Sequence, residues 1–301
     1  MSSETAVLLL AHGTPDRVED IPCFLHAVTG GRPIPQAVVE EVQHRYSLIG
    51  HSPLRELTER QAAAVEKALG LRTYVAMRNW EPYIRDVMPR MAADGITHAI
   101  AICLAPQNSR TSTGLYRSAV AATEPKFTVD FVESWHDHPL LIQAFAEKLE
   151  SGWNKSCAAA GKKVPVIFTA HSVPTRTVAE GDPYECQARQ TAELVAKSVG
   201  VEQWQFAFQS QGMSGGPWLG PTVEETISDL AEAGHKAVFL QPIGFLCDHV
   251  EVLYDIDIAF RQYAKERNMR LDRAESLNDS PLLAAALADV ARQRLQATPR
   301  G

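Results

Sequence analysis

The chain has 301 residues, of which 45% are hydrophobic and 22% charged, and it carries a net charge of −7. That length can bury a sizeable core, and that balance of apolar to charged residues excludes extended disorder. The acidic surplus speaks against nucleic acid as a partner, because phosphate binding leans on basic surface.

Short apolar runs alternate with longer amphipathic stretches, the pattern of βαβ units around mainly parallel sheets. In chain order the sequence predicts a strand at Ala6–Ala11, helices at Arg17–Val28 and Leu54–Leu69, a strand at Thr73–Met77 and a helix at Tyr83–Ala93. Strands at His98–Leu104 and Phe127–Val132, a helix at Pro139–Gly152 and a strand at Val164–Thr169 follow. The remainder reads as helix Tyr184–Ser198, strand Gln203–Phe208, helix Val223–Ala233, strand Lys236–Gln241 and helices His249–Ala264 and Pro281–Leu295.

A stretch rich in Ser, Ala, Gly and Lys at Asn154–Lys163 marks a boundary between residues 1–153 and 154–301. The two parts echo each other. Leu10-Ala11-His12-Gly13-Thr14-Pro15 opens the first and Thr169-Ala170-His171-Ser172-Val173-Pro174 the second, each an apolar strand followed by Ala-His-x-x-Pro. Leu104-Ala105-Pro106 and Leu240-Gln241-Pro242 end a later strand in each. We read this as two Rossmann-type halves, with the last helix packing back on the first. Residues just beyond strand C-termini line the ligand crevice of such sheets, so His12 and His171 are expected to face one cleft.

His171 supplies an imidazole, although a strand-end histidine is also compatible with a structural or solvated role. In Pro242–Asp255, apolar residues at helical spacing predict a buried face, and Glu251 and Asp255 stand four apart on another. Carboxylates so placed raise each other's proton affinity or invite a cation. Asp248, three residues before Glu251, also fits a helix N-cap. Ser52 before Pro53 reads equally as an N-cap or as a ligand contact, and Arg45, Tyr46 and Tyr116 as surface residues or anchors for ligand carboxylates. Met77–Pro82 lines the cleft or turns the chain. The Gly212–Gly220 stretch lacks the spacing of a phosphate cradle.

The five cysteines, Cys23, Cys103, Cys157, Cys186 and Cys247, include no Cys-x-x-Cys pair. A thiolate metal site is therefore not expected, and free thiols fit a reducing cytoplasm. The apolar run at Ala6–Ala11 is too short for a signal-peptide core, and no run of about eighteen apolar residues occurs to span a membrane.

Several separated motifs occur in order: Ala11-His12-Gly13-Thr14-Pro15; Arg45-Tyr46 through Gly50-x-Ser52-Pro53-Leu54; Asp94-Gly95-Ile96; Leu104-Ala105-Pro106; Ala170-His171-Ser172; Gly181-Asp182-Pro183-Tyr184; Pro217-Trp218-Leu219-Gly220-Pro221; and Asp248-His249-Val250-Glu251-x-Leu253-Tyr254-Asp255. Together they resemble the ferrochelatases over nearly the whole chain. The resemblance implies a chelatase-like α/β fold with a porphyrin cleft between the halves, and insertion of Fe²⁺ as substrate into that porphyrin. It implies His171 and Glu251 as catalytic and metal-binding residues, with Asp255 as a further acidic position. Arg45, Tyr46, Ser52 and Tyr116 fall where compact bacterial members contact porphyrin.

Four positions depart from relatives. His12 replaces a tyrosine or methionine and is expected as an axial ligand to product iron on the face opposite His171. Thr29 stands where an arginine anchor occurs, Ala259 where a third carboxylate occurs, and Asn79 where a histidine occurs. No cysteine-bearing extension for a [2Fe–2S] cluster follows, so no cluster and no prosthetic group are expected. Compactness favours coproporphyrin III over protoporphyrin IX. With no strongly apolar lip near the cleft, a cytoplasmic enzyme without integral membrane association is expected, and a monomer. The rival readings are a sirohydrochlorin cobalt or nickel chelatase and a non-catalytic haem-binding protein.

Overall fold

The computed structural model describes residues 4–212 and 216–297. Part of the glycine-rich stretch Gly212–Gly220 therefore lies outside the described residues. The first strand, β1 (Thr5–Ala11), is an unbroken apolar run, which suits a central parallel strand covered on both faces. It lies between β2 (Thr73–Met77) and β3 (His98–Cys103), and β4 (Thr128–Val132) completes a parallel sheet in the order β2-β1-β3-β4. The second half repeats the plan. Its strands β5 (Val166–His171), β6 (Trp204–Gln209), β7 (Ala237–Pro242) and β8 (Arg270–Arg273) run parallel in the order β6-β5-β7-β8.

The helices are α1 (Ile21–Val28), α2 (Gln36–Ile49), α3 (Leu54–Leu69), α4 (Ile84–Ala93), α5 (Thr113–Ala121) and α6 (Pro139–Ala160) in the first part of the chain. There follow α7 (Thr175–Ala179), α8 (Tyr184–Val199), α9 (Val223–Glu232), α10 (Val250–Leu253), α11 (Arg261–Glu266) and α12 (Pro281–Ala297). The alternation of side chains along β1 sorts the core. Val7, Leu9 and Ala11 join a layer that also contains Phe168, Phe206, Phe208 and the inward faces of α6, α8 and α12. Ala6, Leu8 and Leu10 face the opposite way, onto α4 and α5. One apolar layer thus runs between the two sheets, and separate cores back each sheet on its outer side.

Polar links join the sheets at their strand ends. Gln107, just past β3, donates through Nε2 to the carbonyl of Ile243 at 3.2 Å. Asp182 accepts from the amides of Arg110 at 2.7 Å and Tyr184 at 3.0 Å. Helix α12 lies on α3, where Arg60 pairs with Asp279 at 2.7 Å.

Some local expectations fail. The α2, α5 and α7 helices and the β8 strand lie outside the sequence expectations: α2 buries only Val39 and Tyr46 along its length, and the other three are short, so each shows little apolar periodicity. The helix expected over His249–Ala264 is interrupted: α10 passes into a π-helical turn at Asp255–Phe260 before α11 resumes. There the amide of Ala259 bonds the carbonyl of Tyr254 at 2.9 Å, five residues back. Neither proposed N-cap forms. Ser52 is 1% exposed with its hydroxyl unpartnered, and α3 has no side-chain cap. Asp248 instead accepts from Ser276 at 2.7 Å, Asn278 at 2.9 Å and Arg273 at 3.3 Å. A more stable set of partners draws it away from the α10 amides.

Candidate active site

The strand order places a switch point beside β1 and another beside β5, because successive connections leave each of these strands in opposite directions. His12 follows β1 and His171 ends β5. Tight packing fixes both turns. Gly13 has φ +92°, and a Cβ there would stand 2.8 Å from the backbone nitrogen of Trp80. Gly244, on the loop after β7, lies so close to β5 that a Cβ would stand 2.9 Å from the Cβ of Ala170. That loop leads directly into α10 and so brings Glu251 to the end of β5.

The Nε2 of His171 lies 3.6 Å from Oε2 of Glu251, with the two side chains 39% and 30% exposed. The Nδ1 of His171 donates to the carbonyl of Ser172 at 2.5 Å. A carbonyl only accepts, so Nδ1 carries a proton, and Nε2 is the ring atom turned to the carboxylate. Glu251 Oε2 is itself closed off from water and receives no hydrogen bond. Two electron-rich atoms facing each other at this range favour a proton or a cation between them. Burial would push the Glu251 carboxyl up, but His171, His249 and His12, together with the Ser210 hydroxyl, outweigh it and hold it below the ordinary range.

The same arrangement recurs. His12 Nδ1 donates to the carbonyl of Gly13 at 3.1 Å, and His249 Nδ1 to that of Cys247 at 2.9 Å, and neither Nε2 has a hydrogen bond among the described residues. His12 opens to solvent along one edge while its flanks meet Phe24, at a ring separation of 5.9 Å, and Arg78. Desolvation first, then the Arg78 charge, push its pKa down to about 4, against the pull of the Gly13 carbonyl and Glu251. His249, resting on Phe245 at 4.9 Å, escaped the sequence reading as a site residue. Its signal lay inside the Asp248–Asp255 motif, between two acidic residues.

Backbone placement comes from the ends of β5 and β6. Gln209 donates to the carbonyl of Glu251 at 2.9 Å and accepts from Thr169 at 2.8 Å. Ser210, held at φ +58°, donates to Asp255 Oδ2 at 2.7 Å, and Arg45 reaches Oδ1 of the same carboxylate at 3.4 Å. Burial, helped by the Glu251 charge and opposed by Ser210 and Arg45, raises the Asp255 carboxyl to about 6.

The remaining candidates sit around this centre. Arg45 spreads over the Tyr254 ring at 5.0 Å and pairs with Glu41. Tyr46 is 4% exposed and shares a hydrogen bond with Thr14 at 3.1 Å, and burial raises its hydroxyl to about 12. Tyr116 is buried beneath Arg78. Thr29 caps α1, its carbonyl accepting from Arg32 at 3.0 Å.

Paired four-stranded parallel sheets with imidazoles at both switch points define a chelatase-type fold. SirB from Bacillus subtilis, solved with Fe³⁺, superposes with a TM-score of 0.59 over 97% of this chain and 95% of its own, at 13% identity. CbiX, the terminal enzyme of sirohaem synthesis in denitrifying bacteria, does so at 0.54 over 98% of this chain and 100% of its own, at 11% identity. At such identities the likeness establishes the fold alone.

Sequence comparison is more specific. The ferrochelatase family profile matches residues 4–295. A ferrochelatase of Acidobacterium capsulatum is 54% identical, with 99% of this chain and 98% of the relative covered. The coproporphyrin III ferrochelatase of Geobacillus kaustophilus is 36% identical over 98% of this chain and 97% of its own. The chain belongs to the ferrochelatase family, lyases that insert a metal ion into a porphyrin. Among the described residues no helix is long and apolar enough to cross a membrane.

Proposed function

We propose that this enzyme inserts Fe²⁺ into coproporphyrin III, with His171 and Glu251 as the catalytic and metal-receiving pair. The observation that carries the assignment is the 3.6 Å approach of His171 Nε2 to an unpartnered carboxylate oxygen of Glu251. Metallation must release two pyrrole protons while iron sheds water. The imidazole, oriented by its Nδ1–H bond to the Ser172 carbonyl, accepts a proton or ligates iron at Nε2. Glu251 lowers the cost of the resulting charge. Asp255, whose carboxyl titrates at about 6, takes protons onward to solvent. His12 stays neutral at pH 7 because its pKa lies at about 4, which leaves Nε2 free as an axial ligand to product iron.

Arg45, Tyr46, Ser52 and Tyr116 form the proposed porphyrin-binding set, Arg45 being the cation among them. The preference for coproporphyrin III is supported by relatives of that name at 34–36% identity, and the free cysteines fit a reducing cytoplasm. A monomer of two halves, 1–153 and 154–301, without an iron–sulfur cluster, completes the proposal.

Anaerobic turnover with Fe²⁺ on coproporphyrin III against protoporphyrin IX tests the substrate. His171→Ala and Glu251→Gln proteins test the site: each should lose at least about a hundredfold in kcat, the range set by removing a positioned acid–base group. Near-normal turnover by both folded variants would remove the assignment.

A further inference from the structure

Beside His12 stands a cation that has no counter-ion. Arg78 follows β2 directly, and its amide donates to the carbonyl of Ala11 at 3.0 Å. The guanidinium lies 5.5 Å over the Tyr116 ring and reaches its hydroxyl. No carboxylate of the described residues comes within ion-pair distance of it. Every other half-buried arginine among the described residues either pairs with a carboxylate, as Arg45 and Arg273 do, or donates to protein oxygens, as Arg267 does.

The orphaned donors are specific. Arg78 Nε is closed off from water without an acceptor. So is Nδ2 of the next residue, Asn79, which is 2% exposed and whose amide bonds the carbonyl of His12 at 3.0 Å. Leaving a charged donor and an amide donor unsatisfied side by side is costly, and such groups persist where a ligand completes them. A planar guanidinium fork matches a carboxylate. Arg45, by contrast, is already engaged by Glu41 and Asp255.

We propose that Arg78, assisted by Asn79, is an anion subsite on the His12 wall that takes a carboxylate side group of the bound tetrapyrrole. This rests on the reading of the cleft as a porphyrin site. It gives the acid side chains of the substrate an anchor on the first sheet, separate from Arg45 on α2.

Fluorescence titration of the full-length protein with coproporphyrin III and with its tetramethyl ester, both in mild detergent, tests the proposal. Arg78→Gln should bind the free acid about tenfold more weakly and the ester as tightly as the unmodified protein does. Arg78→Lys, which keeps the charge and loses the fork, should show a smaller loss, again confined to the acid. Equal weakening of acid and ester would assign Arg78 to packing on Tyr116 and overturn the subsite, as would no weakening of either. Failure of the unmodified protein to bind either porphyrin would remove the cleft reading together with it.

Discussion

The hydroxyl of Tyr184 donates to the carbonyl oxygen of His171 at 2.8 Å, so the last residue of β5 is held from the start of α8. Tyr184 is 6% exposed, and Asp182, which accepts from its amide, also binds the loop at Ser109 and Arg110. The Gly181–Tyr184 motif therefore sets the position of the His171 imidazole and ties it to the first half of the chain.

Tyr184→Phe removes that one hydrogen bond while keeping the ring. Loss of a buried hydroxyl bond costs about 1 kcal/mol of stability. The larger effect should fall on kcat, about tenfold, because small misplacement of a reacting group is expensive. Porphyrin affinity should hardly change. Steady-state kinetics beside urea unfolding separate the two effects, and an unchanged kcat would deny Tyr184 a positioning role.

The pH dependence of stability should contain two opposed contributions. His12 has its folded pKa at about 4, below the ordinary histidine value of about 6.5, so the unfolded chain binds the extra proton and stability is lost as pH falls from 6.5 towards 4. Asp255 has its folded pKa at about 6, above 3.8, so the folded protein binds the proton more tightly and this contribution is lost as pH rises from 3.8 through 6. Asp255→Asn should therefore steepen the loss on acidification below pH 6.5, and His12→Ala should flatten it. Urea midpoints at half-unit intervals from pH 4.5 to 7 read both slopes; identical slopes in the three proteins would contradict the assignment. Both groups touch solvent, which moderates the size of the effect but not its sign.

Gly244→Ala should cripple activity more than it costs in stability. The added methyl meets Ala170 Cβ at 2.9 Å and its Cα at 3.0 Å, and the loop after β7 can relieve this only by lifting away from β5. That motion carries Glu251 from His171. We expect roughly 1–3 kcal/mol of destabilisation, typical of overpacking, with kcat down about a hundredfold. Iron insertion at wild-type rate would show that the loop absorbs the methyl without moving the helix.

Arg273 braces the segment that carries Glu251 at two points, before and after α10. Its guanidinium binds Asp257 at 2.7 and 2.9 Å within the π-helical turn, and Asp248 at 3.3 Å ahead of α10. Arg273→Met leaves Asp248 without its cation and Asp257 with Arg261 alone, at 3.1 Å, a loss of roughly 2–4 kcal/mol for a partly buried network. Urea unfolding checks the figure, and a change below about 0.5 kcal/mol would place the network among the weak surface pairs.

The alternation of strands and helices, the repeated Ala-His-x-x-Pro and the family membership can all be read from local pattern along the chain. Unbroken apolar runs such as Val7–Leu10 and Ile167–Phe168 have little choice but to be central parallel strands, and conformational preference of this kind is local. His171 and Glu251 were legible because each sits in a dense motif at a strand end or helix start. What only tertiary structure decided was the use of the remaining polar groups. Asp248 had the spacing of a cap and became the partner of Arg273, Ser276 and Asn278; Ser52 had it too and became a buried, unpaired hydroxyl. Arg78 reads in the sequence as an ordinary residue after a strand, and its lack of a counter-ion becomes visible only with its neighbours in place. A side chain's partner is chosen by distance in space among residues far apart along the chain, and local pattern carries no record of that choice.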